Sequence, residues 1–333
     1  MLVGICGGIC AGKKAVAEYL VRTKGFQPIV LLGSSEPCSG PFSETQPVFN
    51  DVLALLDFVT VRWRENWVLA GITDPRVVDV LETRPFFILI SVEAPVSEAW
   101  RRHCSRLAAR APGGTTTLSS QATDLLAFVQ ETDTSTYGRA MRSISSRASV
   151  RIINKSSSLS DLEHALATSD FKLAQRLRPS WDMYFMSLAA LASRRSNCMK
   201  RRVGCVLVTR ENRVISTGYN GTPRGVRNCS DGGCPRCNTG GSGSGAALST
   251  CLCLHAEENA LLEAGRERIR EGSVLYCDTC PCLTCSIKIC QVGISEVVYN
   301  QGYSMDDHSA RIFTEAGVKL RKFVPPSNED VCI

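Results

Sequence analysis

Apolar residues follow two rhythms along this chain, and the way these alternate predicts its architecture. The first run, residues 1–6, is continuous and strand-like; it breaks at a glycine-rich turn and gives way to helical spacing over 13–21. A second apolar run, 86–92, followed by Glu93, Ala94 and Pro95 and a basic helical stretch through 100–110, predicts a βα unit of the same fold. The stretch 111–120, APGGTTTLSS, is expected to be a surface loop, and polar residues 154–160 lead into a helix expected over 162–177. Arg178, Pro179 and Ser180 break that pattern, and Trp181 opens an amphipathic helix, WDMYFMSLAALASRR. Beyond it come strands over 204–209 and 214–219, a helix after His255, a strand over 274–277 and a helix over 282–292. A strand over 297–299, a helix over 305–316 and a strand over 318–323 complete the series. Five strands alternating with helices imply a three-layer α/β/α domain. The expected division is therefore 1–178, 179–325 and a C-terminal tail, 326–333. The stretch TGGSGSGAA, 239–247, has the composition of a flexible insertion with no chemistry.

Length agrees with two domains, since 333 residues exceed one ordinary core. With 44% hydrophobic and 21% charged residues the composition is globular, and no apolar stretch is long enough to span a membrane. The start, MLVGICGGICAGKK, lacks the pattern of a secretory signal, so a cytoplasmic location is expected, with the nucleus as a second. The net charge of +6 suits phosphorylated partners, but basic residues cluster only at Arg194, Arg195, Lys200, Arg201 and Arg202, so no specific nucleic acid is expected. Twelve of the seventeen cysteines lie between Cys198 and Cys290, which favours metal binding in a reducing compartment over a disulfide framework.

Two motifs carry candidate chemistry. Gly7, four residues, Gly12 and Lys13 form most of the GxxxxGK[ST] phosphate loop, but Lys14 replaces the hydroxyl that would hold magnesium. The first domain is thus expected to be a degenerate P-loop nucleotide-kinase-like α/β domain, retained as a structural or regulatory module. The second motif is HxE…PCxxC: His255, Ala256, Glu257, then Pro281, Cys282 and Cys285. One imidazole and two thiolates leave the fourth corner of a zinc tetrahedron for a water that becomes hydroxide near neutral pH. Glu257 is then a proton shuttle and not a ligand. Pro281 is expected in the first turn of its helix, where a missing N–H is tolerated, and the helix N-terminus favours thiolate. The competing reading makes these cysteines a zinc-ribbon module of a nucleic-acid regulator; Glu257 argues against it, because a structural site needs no carboxylate beside an open position.

From Trp181 to about Phe323 the sequence resembles the zinc-dependent cytidine/deoxycytidylate deaminase family in its fungal deoxycytidylate type. The stretches that carry the resemblance are RRSNCMKRRVGCVLV, ISTGYNGTPRGVRNC, GGCPRCN, CLCLHAEENALLEAG, LYCDTCPCLTCSIKI and YSMD. The resemblance implies a cytidine-deaminase-like fold, catalytic Zn2+ on His255, Cys282 and Cys285, and conversion of dCMP to dUMP for thymidylate synthesis. It also implies a hexamer activated by dCTP and inhibited by dTTP, with Mg2+ accompanying these effectors, and a second, structural Zn2+ best matched by Cys198, Cys229, Cys234 and Cys251. Asn220 in the GYNG turn, Ala256 and Tyr303 fall on substrate-contacting positions, with Gly218 and Gly221 letting the backbone approach the nucleotide. Ser196, with Arg195, Lys200 and Arg201, offers donors for a 5′-phosphate, the alternative being a solvated basic face. Another nucleoside, nucleotide or nucleic-acid cytosine deaminase shares the same HxE and PCxxC residues and stays open here.

Overall fold

The computed structural model describes residues 1–33, 46–110, 118–169, 171–239, 250–302, 306–325 and 331–332. The chain folds as two compact units, Met1–Arg178 with Ser327–Ile333, and Pro179–Pro326.

The first unit is built on a seven-stranded sheet whose paired strands all run parallel. Its strands are β1 (Leu2–Gly7), β2 (Gln27–Leu31), β3 (Val48–Phe49), β4 (Trp67–Ala70), β5 (Phe87–Glu93), β6 (Val150–Ile153) and β12 (Val331–Cys332), in the order β12-β6-β5-β1-β4-β2-β3. Strand β1 is buried throughout, as expected of a central parallel strand covered on both faces. Gly7, at φ 139°, ends it where a Cβ would lie 1.9 Å from the Val92 carbonyl oxygen, so only glycine lets β1 and β5 run this close. The loop leads through Gly12 into helix α1 (Lys13–Lys24), and Lys13 Nζ folds back onto the carbonyls of Gly7 and Gly8 at 3.1 and 2.7 Å. Helices α2 (Val52–Val61), α3 (Pro75–Leu81) and α6 (Arg139–Ser145) bury Leu55, Val78 and Ile144 in one core with Leu2 and Leu69, while α4 (Val96–Arg110) packs Ala99 beside Phe128 of α5 (Leu118–Thr136).

Three elements differ from expectation. The helix expected over 162–177 is two helices, α7 (Leu159–Thr168) and α8 (Leu173–Leu177). Ser158 caps the first of them, which starts three residues earlier than expected. Ser169 turns extended and Lys172 takes a left-handed φ of 44°, which brings Phe171 into the core beside Leu162 and Leu166. Of the loop expected over 111–120, residues 118–120 begin α5, and 111–117 lie outside the described residues. The C-terminal residues do not end as a tail: Val331 and Cys332 pair with Ile152 and Ile153 at the edge of the first sheet.

The second unit has a five-stranded sheet: β7 (Gly204–Val208), β8 (Val214–Tyr219), β9 (Val274–Thr279), β10 (Glu296–Gln301) and β11 (Lys319–Lys322), ordered β11-β10-β9-β7-β8. Strand β7 is antiparallel to both neighbours, and β9, β10 and β11 are parallel. Side-chain alternation sorts the faces. Val206, Val208, Tyr276 and Val298 pack under helix α9 (Trp181–Ser193), against Phe185, Met186 and Ala189. Cys205, Leu207, Leu275, Cys277 and Val297 face the opposite layer of α11 (Ala256–Ala264), α12 (Leu283–Val292) and α13 (Asp306–Glu315). Between β8 and α11 the described chain makes a 3-10 turn (Cys229–Asp231) and a short helix, α10 (Pro235–Asn238), and the insertion-like stretch 239–247 falls, beyond Thr239, outside the described residues.

On the α9 face a polar network ties the layer together. Asp182 accepts from Tyr276 Oη at 2.8 Å and from Arg321 Nη1 and Nη2 at 2.7 and 2.9 Å, while Arg321 Nε donates to Glu296 at 2.8 Å. The Arg321 guanidinium holds the Asp182 carboxyl below its ordinary range. Stabilisation from a depressed carboxyl is complete above the unfolded value of about 4 and is lost as pH falls through the folded one. Asp182→Asn is therefore expected to cost about 1–3 kcal/mol at neutral pH. In urea unfolding measured from pH 7 downward, its deficit against the unmodified protein should shrink below about pH 4.

Candidate metal and catalytic centre

Two helix starts supply the site. His255 caps α11 and Cys282 caps α12, both with extended backbone. In each case the residue stops just short of the helix, so its side chain stands at the positive end of a helix dipole. Cys285 follows one turn into α12 and is fully buried. The Cys282 and Cys285 sulfurs each lie 3.3 Å from His255 Nδ1, and one donor atom from each of the three residues falls within 4.8 Å of the others. One nitrogen and two sulfurs in this compass are a donor set for zinc, with one tetrahedral corner left over.

Glu257 sits two residues into α11, 4% exposed. Burial, opposed by the neighbouring His255, raises its carboxyl to about 7. A carboxylate balanced there can both take and return a proton. Cys282 is pulled down to about 3, first by its hydrogen bond with Cys285 and then by that with His255, which favours thiolate at Cys282, while the same hydrogen bond and burial push the Cys285 thiol well up.

Several supporting residues were not singled out from the sequence. Glu258 Oε2 accepts the His255 backbone N–H at 2.9 Å, and Glu258 also pairs with Lys288 of α12. This one carboxylate thereby joins the two ligand-bearing helices. Its signal was legible as a helix-capping spacing, a cap residue followed three positions later by Glu. Ser309, fully buried on α13, donates to the Pro281 carbonyl at 2.7 Å. Pro281 itself precedes the cap of α12 instead of occupying its first turn as expected, because Cys282 takes the extended capping conformation. Asp278, at the end of β9, accepts from Gly204 N–H with one oxygen at 3.1 Å. Its other oxygen is buried without a partner among the described residues, and burial pushes the carboxyl up to about 6.

The residues expected at the substrate make these contacts within the protein. Asn220 is buried, its Oδ1 accepting from Val203 N–H and its Nδ2 donating to the Arg201 carbonyl, both at 2.8 Å, so its amide braces the backbone. Ser196 donates to the Asn220 carbonyl at 2.8 Å and accepts from Cys198 N–H. Arg201 is half-buried and donates to Gln301 at 2.9 Å, whereas Arg195 and Lys200 are exposed. At the GYNG glycines the protein itself approaches closely: a Cβ on Gly218 would lie 2.0 Å from the Ala256 carbonyl oxygen, and one on Gly221 would lie 2.6 Å from Asn197 Oδ1. Ala256 is fully buried at this contact. Tyr303 lies outside the described residues. The four thiols matched to a structural zinc, Cys198, Cys229, Cys234 and Cys251, do not form one group. Cys198 and Cys229 converge with Cys237 and Cys253, and Cys234 and Cys251 converge with the same two.

This sandwich, with two helix N-termini presenting His, Cys and Cys beside a buried glutamate, defines a zinc-deaminase type of protein. A family model, "Cytidine and deoxycytidylate deaminase zinc-binding region", matches residues 179–301. The deoxycytidylate deaminase of Schizosaccharomyces pombe is 49% identical over 331 residues, 98% of each chain. That of Saccharomyces cerevisiae is 42% identical over 332 residues, 97% of this chain and 96% of the relative. The deoxycytidylate deaminase of Mycobacterium phage D29 is 43% identical over 126 residues, 37% of this chain but 95% of its own. The chain belongs to the cytidine and deoxycytidylate deaminase family, with a cytidine-deaminase-like α/β fold in its second unit.

If Glu258 sets the position of His255, Glu258→Ala should weaken zinc binding roughly 10- to 100-fold in chelator competition, as loss of a ligand-orienting group does. Unchanged affinity would show that the cap does not orient the ligand.

Proposed function

We propose that this chain hydrolyses dCMP to dUMP and ammonia and so supplies dUMP for thymidylate synthesis. One observation carries the proposal: His255, Cys282 and Cys285 converge beside the buried carboxyl of Glu257, in a chain that matches deoxycytidylate deaminases end to end. Those three residues would hold zinc, which supplies a Lewis acid that makes a water acidic near neutral pH. The protein's own part is proton traffic and placement. Glu257 takes a proton as water oxygen adds to C4 of the cytosine ring and passes it to N3; it then carries the second proton to the departing amine as the C4–N4 bond breaks. Burial of Glu257 keeps bulk water from competing for these transfers. Glu258 and Lys288 hold the two helices in register, and Asn220 and Ser196 keep the loop beside them in shape.

The reading extends to regulation: a hexamer activated by dCTP and inhibited by dTTP, with Mg2+ carried by these nucleotides. Arg195, Lys200 and Arg201, close to Ser196 along the chain, are the proposed contacts for the 5′-phosphate. Asn220 and Ala256 shape the pocket through backbone placement. The first unit is read as a degenerate P-loop module that transfers no phosphoryl group. Beside Gly7–Lys13 it has a cleft of about 960 Å³ lined by Lys13, Lys14, Arg101, Arg102 and Asn154, with Lys14 where a magnesium-binding hydroxyl would stand. In this unit Lys13 is engaged by the loop's own carbonyls.

Ammonia release from dCMP, CMP, cytidine and an oligonucleotide, each with and without dCTP or dTTP, tests the proposal. dCMP should be turned over fastest, with dCTP raising and dTTP lowering the rate; equal rates on all four would contradict nucleotide specificity. Glu257→Gln should lower turnover by about 10²-fold or more, on the order of one positioned acid–base group, while zinc content stays unchanged. Loss of zinc in that variant would make Glu257 a ligand.

A further inference from the structure

Six thiols that the deaminase centre does not use lie together. Cys229, Cys234, Cys237 and Cys253 are buried, with Cys198 and Cys251 half-buried against them, and among the described residues their apolar cluster contains cysteines alone. Small hydrophobes filling a core would be surrounded by aliphatic side chains; these pack on one another. The spacing of the sulfurs is also specific. Cys198 lies 3.8 Å from Cys237, Cys234 lies 3.9 Å from Cys251, and Cys237 lies 3.7 and 4.0 Å from Cys251 and Cys253. These are far beyond a disulfide bond of about 2.05 Å. They match the sulfur–sulfur edge of about 3.8 Å in a tetrahedron built on zinc–sulfur bonds of about 2.3 Å.

The thiols form two fourfold groups. Cys198 and Cys229 complete one, Cys234 and Cys251 complete the other, and Cys237 and Cys253 belong to both. Backbone N–H groups already point at terminal sulfurs, Met199 at Cys229 and Leu252 at Cys234, each at 3.4 Å. Such donors favour thiolate over thiol.

We propose that these six cysteines hold a binuclear zinc–thiolate cluster, with Cys237 and Cys253 bridging two metals that each have two terminal thiolates. Two Zn2+ ions displace six thiol protons to solvent, which leaves a net charge of −2. Arg236 Nη1, 3.6 Å from Cys251 Sγ, partly offsets it. The cluster braces the segment next to the deaminase centre. Cys253 is two residues before His255, Leu254 between them pairs with Gly221 in both directions, and Cys198 N–H is held by Ser196, which itself holds Asn220. A single structural zinc would use one fourfold group and leave two thiols over.

Metal analysis combined with zinc X-ray absorption on the full chain tests this. Three zinc ions per chain and a metal–metal separation of about 3 Å, set by two tetrahedra that share an edge, are expected. Two zinc ions per chain, or three with no metal–metal separation, would overturn the proposal. Cys285→Ser should lose one zinc and turnover but keep the metal–metal signal, and loss of that signal would show that the two sites are not separate. Cys253→Ser should lose the metal–metal signal; if that signal persists, Cys253 is not a bridge. Should Cys253→Ser fail to fold, the stoichiometry and metal–metal signal of the unmodified chain still decide.

Discussion

The face-to-face placement of two helix N-termini is the constraint on which the second unit depends. Neither α11 nor α12 could hold a metal alone, since one brings a single imidazole and the other two sulfurs one turn apart. Gly218 permits α11 to lie directly on β8, Ser309 holds the turn ahead of α12, and Glu258 with Lys288 spans the gap. Each contact is modest; together they fix three donor atoms within a few ångströms, which is what zinc chemistry requires. The same arrangement stabilises negative sulfur at helix starts and puts Glu257 under cover, where burial raises its carboxyl towards neutrality.

The thiol-rich segment can be understood on the same footing. Between Asn220 and Cys253 the described chain has few large apolar side chains to bury, so its local order comes from polar and sulfur contacts. Asn220, Ser196, Asn197 and Asn238 saturate loop backbone, and the thiols fill the centre. A loop held in this way presents His255 in one place only. Stability and catalysis are joined because the segment that would bind structural metal runs directly into the catalytic ligand.

Much of this was legible in the chain itself. The strand at 204–209 was legible as a short apolar run, but which layer each residue faces was not, because Cys205, Val206, Leu207 and Val208 are all apolar and all buried, and the structure alone sorts Cys205 and Leu207 from Val206 and Val208. The HxE and PCxxC spacings place side chains through helix geometry, which short-range sequence encodes. What depended on approach between distant segments was not legible. Asn220 and the GYNG glycines read as a turn in sequence, and their protein partners Val203, Arg201, Ala256 and Asn197 are brought to them by other elements. Likewise Cys237 and Cys253 could not be told from their neighbours as shared members of two groups, because six thiols on one stretch allow many foursomes. The break at Ser169 was missed because burial of Phe171, a tertiary event, overrode a helical periodicity.

Zinc-edge anomalous scattering from crystals of the full chain is the most direct measurement of the central claim. The account predicts a metal bound by His255 Nδ1, Cys282 Sγ and Cys285 Sγ, with the Glu257 carboxylate beside it and not coordinated. A Glu257 oxygen in the coordination sphere, or no metal where α11 and α12 meet, would contradict it.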